Sequence, residues 1–71
     1  MINTNKVRGR MVENGVTQQD AATYLGIAQA TFSQKINNVR PMDLDEAEKL
    51  AEFLNITDIE FPLFFLAKPV A

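Results

Sequence analysis

The 71-residue sequence contains no cysteine and no histidine. Without cysteine, the chain has no disulfide framework and no thiolate nucleophile. Without histidine, it lacks the most common general base near neutral pH and a usual ligand of zinc fingers. It also lacks a glycine-rich phosphate loop. We therefore expect no enzymatic activity, no metal site and no bound cofactor.

Long apolar runs are missing as well. Residues 1–10 are polar, and the most apolar run, residues 61–67, is too short to cross a bilayer and contains Pro62. These features predict that the chain has neither a signal peptide nor a membrane span. The expected location is the cytoplasm.

Charge is distributed unevenly, although the net charge is only −2. Residues 1–40 hold five basic and two acidic side chains, whereas residues 41–71 hold two basic and seven acidic ones. Basic charge clustered in one part of a chain is typical of a surface that contacts phosphates. A mixed, solvated surface with chance asymmetry explains the same counts, so charge alone does not decide between the two.

The spacing of apolar residues predicts an all-α chain, a compact bundle of about five short helices with no convincing strand. The expected helices cover residues 5–13, 18–25, 29–36 and 44–54, with a fifth near Pro62. Thr17 and Asp43 are N-caps of the second and fourth helices, each with an acidic residue three positions on. Pro62 predicts a short or irregular fifth helix, because proline removes a backbone hydrogen bond inside a helix.

Apolar residues at helical spacing also predict the core. The expected inward-facing residues are Ile2, Val7, Met11, Val12, Ala21, Ala22, Leu25, Phe32, Ile36, Leu44, Ala47, Leu50, Ala51, Phe53 and Leu54. We expect one domain over residues 1–71, in which residues 61–71 form an apolar tail.

Residues 17–38 have the organisation of a helix-turn-helix. A helix with a polar start runs into Gly26, which can adopt a positive φ at little steric cost. After a tight turn, the next helix carries Gln29, Ser33 and Gln34 on one side. Outward polar side chains on such a helix can hydrogen-bond base edges in a DNA major groove.

The chain resembles the lambda-repressor/Cro-like (XRE-type) helix-turn-helix family of phage and bacterial regulators. The resemblance is carried by residues 15–22, 25–27, 32–34 and 45–56, and it spans about residues 5–60. In length and over residues 35–37 the chain is most similar to small phage Cro-type repressors. The resemblance implies a transcriptional regulator that acts on the nucleoid of a bacterial host. Many relatives have an ion pair where this chain has Met11 and Ile36, so an apolar contact is expected there.

The resemblance implies roles for individual residues. The base-reading residues are Gln29, Ala30, Ser33 and Gln34. The residues implied in phosphate contacts are Thr17, Gln18, Lys35, Asn37, Asn38, Arg40 and Arg10, with Lys6 and Arg8 as further cations. A glutamine amide can bond adenine through two hydrogen bonds, and an alanine can contact a thymine methyl group.

The apolar tail predicts self-association. Some of its residues are expected to cover the core, and the others to form a dimer interface, because large exposed apolar patches usually mark partners. The residues assigned to this interface are Phe61, Leu63, Phe64, Phe65 and Leu66. Related regulators dimerise through this end, and such a dimer binds a near-palindromic site.

Two functions remain open at this point. The first is a Cro-like repressor that binds double-stranded operator DNA as a homodimer and excludes RNA polymerase. The second is an antirepressor or modulator that binds a partner repressor protein through its acidic and apolar surfaces. The acidic second half and the phenylalanine-rich tail support the second function.

Overall fold

The computed structural model describes residues 1–67, so the last four residues of the predicted tail lie outside the described residues. The described part contains five α-helices and no strand, which confirms the all-α prediction. The helices are α1 (Thr4–Asn14), α2 (Gln18–Leu25), α3 (Gln29–Ile36), α4 (Leu44–Phe53) and α5 (Phe61–Phe65). Among residues 1–67, no helix combines the length and apolar character needed to cross a membrane.

The helices begin and end at residues whose chemistry explains the boundary. Thr17 and Asp43 form the two predicted capping boxes, in which each cap exchanges hydrogen bonds with the acidic residue three positions on. Gly26 ends α2 in the left-handed region with φ 73°, as predicted. In α1 the cap is Asn3, whose side chain accepts from the Lys6 amide, so the helix starts one residue earlier than expected.

The core is formed by one apolar stripe from each helix together with Ile2, Leu54 and Ile56. The buried apolar residues are Ile2, Val7, Met11, Ala21, Ala22, Leu25, Phe32, Ile36, Ala47, Leu50, Ala51, Leu54, Ile56, Phe64 and Phe65. Met11 and Ile36, where an apolar contact is expected in place of the ion pair of many relatives, are both buried in this cluster.

Two predicted core residues are exposed. Val12 lies about 100° around α1 from Met11, which turns it away from the buried Val7–Met11 side. Leu44 is on the inner stripe of α4, but it lies at the start of this helix, where it lines an open groove and is exposed. The inward assignments of Val12 and Leu44 are therefore wrong.

The fifth helix avoids the problem that Pro62 would cause inside a helix. It begins at Phe61, so Pro62 lies in the first turn, where its missing N–H has no helical partner to lose. The preceding turn is held by Thr57 and Glu60, which exchange hydrogen bonds between their side chains and backbone amides. A short fifth helix is therefore confirmed.

The N-terminal segment ties α3 to α5. The Asn38 side chain, at φ 62° just past α3, accepts from the Ile2 amide at 2.8 Å and donates to the Ile2 carbonyl at 2.9 Å. The next amide, that of Asn3, donates to the Phe64 carbonyl at 2.7 Å. These bonds fix the C-terminal end of α3 relative to α5.

An ion pair ties α1 to the start of α5. Arg10 Nη2 lies 2.7 Å from Glu60 Oε2, and Nη1 donates to the Asn55 carbonyl at 3.1 Å. The Thr57 backbone N–H, the Arg10 guanidinium and the Thr57 hydroxyl all donate to Glu60, and they lower the pKa of this carboxyl below its ordinary value of 4.5.

The lowered pKa of Glu60 predicts an acid-sensitive contribution to stability. Because the folded-state pKa lies below the unfolded-state value of 4.5, the contribution is complete above that pH and disappears as the pH falls through the folded-state pKa. We expect Glu60→Gln to lower the urea midpoint at neutral pH, and the two midpoints to converge as the solution is acidified.

Glu48→Gln is the matched control, because Glu48 is an exposed α4 glutamate without an ion pair among residues 1–67. We expect it to shift the neutral-pH midpoint little. A Glu60→Gln deficit that stays constant across the acid range would contradict the assignment.

Candidate nucleic-acid interface

The α2–turn–α3 unit is held from inside. α2 buries its small residues Ala21 and Ala22 together with Leu25, and it packs on both α3 and α4. Tyr24 of α2 also stacks on Phe53 of α4, with ring centroids 4.7 Å apart. The turn closes through Gly26 and a hydrogen bond from the Ile27 amide to the Ala22 carbonyl. The helix-turn-helix predicted for residues 17–38 is therefore present.

α3 has two chemically different faces. Phe32 and Ile36 are completely buried, whereas Gln29, Ala30 and Gln34 are exposed. Ala28 makes no side-chain cap, so burial of the two apolar side chains holds the helix in place. At about 1.5–3 kcal/mol for each buried side chain of this kind, that burial outweighs the missing cap, worth about 1 kcal/mol.

The four residues expected to read bases lie together on α3. Gln29, Ala30 and Gln34 project into solvent, and Ser33 is half-buried beside them. No carboxylate occurs between residues 21 and 42. The outward face of α3 can therefore approach polyanionic DNA without meeting an acidic side chain of its own helix.

Thr17 and Gln18 occupy the start of α2. Thr17 Oγ1 accepts from the Asp20 amide at 3.1 Å, so the exposed Thr17 side chain acts as the cap of α2. Asp20 accepts from the Thr17 amide at 2.9 Å, and this bond together with the Thr17 hydroxyl contact lowers the pKa of Asp20. Gln18, half-buried, is the first residue of a helix whose N-terminal amides favour an anion.

Two predicted phosphate-binding cations are held by carboxylates of the same chain. Lys35 Nζ forms an ion pair with Glu46, which joins α3 to α4. Arg10 is held by Glu60 and lies over the Phe64 ring, 5.1 Å from its centroid. Both side chains are mostly buried, so Lys35 and Arg10 leave the set of expected phosphate contacts.

Another cation of α1 lies close to the C-terminal end of α3. Arg8 is exposed, and its Nη2 donates to Asn37 Oδ1 at 3.1 Å. Asn37 in turn donates to the carbonyl of Ser33, one turn earlier in α3, at 2.8 Å. The guanidinium of Arg8 therefore extends the polar surface at the C-terminal end of α3.

The two residues that follow Asn37 in the expected phosphate set differ in their availability. Asn38 uses its side-chain carbonyl and amide on the Ile2 backbone, so its role is to hold the N-terminal segment. Arg40 is exposed in the loop between α3 and α4, and no ion pair binds it within residues 1–67. Arg40 therefore stays in the set.

The tail residues assigned to a dimer interface separate into two groups. Phe64 and Phe65 are buried in the chain's own core, and Phe61 is half-buried against it. Leu63 and Leu66 are 55% and 63% exposed. An additional apolar residue, Ile59, is 89% exposed. Only the exposed residues are available to a second chain.

A comparison with known protein families agrees with this geometry. A family model described as helix-turn-helix matches residues 7–61, which include all of α2, α3 and α4. The chain belongs to this family of XRE-type, Cro/C1-like domains, and it is a DNA-binding transcriptional regulator of that type. A search of curated proteins finds no match to the chain. The family is a regulatory one and typically has no enzymatic activity.

The sequence alone does not show which of Lys6, Arg8 and Arg10 lies near α3. Three cations fall within five residues of α1, and which of them approaches α3 depends on the helix packing. Residues two apart on a helix point in different directions, so Arg8 and Arg10 could not both face α3. No local pattern could show that Arg10 would be held elsewhere, because its partner Glu60 is 50 residues away in the sequence.

The different surroundings of Arg8 and Arg10 predict different effects on DNA binding. Arg8→Gln should reduce the slope of log affinity against log salt by about 1, because one phosphate contact is lost. Arg10→Gln should leave this slope unchanged and lower thermal stability, because Glu60 loses its partner. Salt titrations of both variants on one duplex test this, and equal slopes for Arg8→Gln and the unchanged chain would contradict it.

Proposed function

We propose that the protein is a Cro-like repressor of the phage or prophage type that occupies a near-palindromic operator as a homodimer. The observation that carries the proposal is the outward face of α3. It exposes Gln29, Ala30 and Gln34 in one carboxylate-free strip, while Phe32 and Ile36 fix the opposite face on the core. Because its apolar face is fixed on the core, this helix can enter a major groove without rearrangement.

The chemistry of the strip supports direct recognition of bases. Each glutamine amide can donate to and accept from the major-groove edge of adenine, and Ala30 can contact a thymine methyl group. Ser33 bonds to either kind of base edge but is less accessible, because it is half-buried. We expect Gln29 and Gln34 to contribute most of the discrimination.

Phosphate contacts position the helix in the groove. Thr17 and Gln18 at the start of α2 supply a hydroxyl, an amide and helix N-terminal amides on one side. Asn37, Arg8 and Arg40 supply donors at and beyond the C-terminal end of α3. These donors therefore lie near both ends of the exposed strip of α3. This placement agrees with a helix that lies between two phosphate backbones.

An exposed apolar stripe supports dimerisation. The Phe61 amide bonds to the Thr57 carbonyl at helical spacing, so the turn before α5 runs directly into the helix. Ile59, Leu63 and Leu66 therefore recur at i, i+4 and i+7 on one side, opposite the buried Phe64. A second copy of the chain that packs on this stripe would remove it from water.

A homodimer would account for repression without any chemistry. Two copies of α3 about 34 Å apart would enter successive major grooves on one side of the duplex. Occupancy of the site would then exclude RNA polymerase from an overlapping promoter.

The acidic second half supports an antirepressor or modulator as the alternative function. In that case, the exposed apolar stripe and the acidic surface would bind a partner repressor protein. Salt-dependent binding to DNA distinguishes the two functions, since release of counterions from phosphates makes affinity fall steeply with salt. A purified protein that binds neither a selected duplex nor random DNA at low salt would contradict the repressor proposal.

The glutamines of α3 should carry sequence specificity. We expect Gln29→Ala and Gln34→Ala each to weaken binding to a duplex selected from a random library by about 1–3 kcal/mol, with little change on random DNA. Gln19→Ala is the matched control, because Gln19 is exposed on α2 and bonds to Thr23 of its own helix. Fluorescence anisotropy on both duplexes gives the affinities. Equal losses on selected and random DNA would remove the glutamines as base readers.

The α5 stripe should control the oligomeric state. Leu63→Glu is expected to convert a dimer into a monomer in sedimentation velocity, because it buries a charge in an apolar interface. Val12→Glu introduces the same charge at another exposed apolar position, on α1, and should leave the dimer intact. A dimer that survives Leu63→Glu would place the interface elsewhere.

A further inference from the structure

A groove of about 730 Å³ lies along α4 and the segment that leads into α5. Ala51, Ile56 and Phe61 contribute apolar surface to its lining, and all three also pack in or against the core. Leu44, 62% exposed at the start of α4, is also part of the lining. The groove contains no residue of α1, α2 or α3, so it shares no side chain with the candidate DNA-binding face.

Acidic side chains surround this apolar surface. The lining includes four carboxylates, those of Asp45, Glu48, Glu52 and Asp58, and one cation, Lys49. Within residues 1–67, none of the four carboxylates takes part in an ion pair; the carboxylates that do are Glu13, Glu46 and Glu60. The groove therefore combines an apolar lining with a negative charge that the described part of the chain does not neutralise.

The charge excludes several classes of ligand. Nucleic acid and anionic lipid would be repelled by four carboxylates against one lysine. Within the described residues, no group of three or more carboxylates is arranged to hold a metal ion. What fits is a ligand with cationic groups for the carboxylates and apolar groups for Leu44, Ala51 and Phe61. An amphipathic segment of a protein has both.

We propose that the α4–α5 groove binds a basic, amphipathic helical segment of a partner protein. The leucine-like side chains of the segment would enter the groove, and its lysines or arginines would face the acidic residues on either side. This docking surface would let the regulator contact a protein while α3 contacts DNA. The proposal does not depend on which bases α3 reads, or on whether the chain represses transcription.

A model peptide tests the groove with the full-length protein. The probe is a peptide about five helical turns long, made of leucine and lysine with all leucines on one face. A second peptide has the same composition in an order that scatters the leucines. Nuclear magnetic resonance shifts of the backbone amides map the binding site, and fluorescence anisotropy gives the affinity. We expect shifts in residues 44–52 and 56–61, and at least about tenfold weaker binding of the scattered peptide.

Matched substitutions separate the groove from general electrostatic attraction. Glu52→Lys should weaken binding of the amphipathic peptide by about fivefold or more, whereas Glu13→Lys on α1 should change it less than about twofold. Leu44→Ser should also weaken binding, and because Leu44 is exposed, this variant should keep the stability of the unchanged chain. Gln34→Ala should leave peptide binding unchanged, so that failure of DNA recognition is scored separately.

Several results would overturn the proposal. Equal binding of the two peptides, or equal losses for Glu52→Lys and Glu13→Lys, would show attraction to charge alone. Shifts centred on α1 or α3 would place the peptide elsewhere. Shifts in residues 44–52, away from the α5 stripe, that follow the protein's own concentration without peptide would assign the groove to a second copy of the chain.

Discussion

Burial of Phe32 and Ile36 is the constraint on which the rest of the structure depends. α3 has no side-chain cap at its start and is only two turns long, so it would not persist alone. Its position is set by two fully buried side chains that contact the core formed with α1, α2 and α4. Because the apolar side of α3 is fully used in this way, its polar side must face solvent. The exposure of Gln29 and Gln34 is thus a consequence of how the helix is held.

Charge is sorted by the same architecture. Two carboxylates form ion pairs between separate parts of the chain: Glu46 pairs with Lys35, and Glu60 pairs with Arg10. These pairs join α3 to α4 and α1 to the start of α5. Because both cations are neutralised in this way, neither adds positive charge to the surface around α3. Arg8 and Arg40 remain exposed, and neither forms an ion pair within residues 1–67. Among residues 1–67, Asp20 at the start of α2 also has no ion pair, but the other unpaired carboxylates lie at the start of α4, along it and in the segment before α5. An acidic net charge is therefore compatible with DNA binding through α3.

Local signals in the sequence were sufficient for most of the fold. Capping boxes at Thr17 and Asp43, and Gly26 at the turn, depend on residues within a few positions of one another, and each is confirmed. Contacts between distant residues were the part that local patterns could not supply. Three features require knowledge of which helices meet: the hydrogen bonds of Asn38 to Ile2, the Lys35–Glu46 pair, and the choice between Arg8 and Arg10.

The same lack of knowledge about helix packing explains why the sequence places Val12 and Leu44 in the core, and Phe64 and Phe65 in an interface. The exposure of Gln29, Ala30 and Gln34 depends only on the register of α3, so it could be predicted from the sequence, whereas the surroundings of the cations depend on tertiary packing.

The most direct test of the central claim is a nuclear magnetic resonance map of the protein bound to a duplex selected from a random library. Backbone amide shifts and side-chain amide shifts of Gln29 and Gln34 report which surface meets DNA. We expect the largest changes at Gln18, along α3 and at Arg40, with small changes at Glu48 and Glu52. Changes concentrated on α4 and α5, with the Gln29 and Gln34 side chains unaffected, would contradict it.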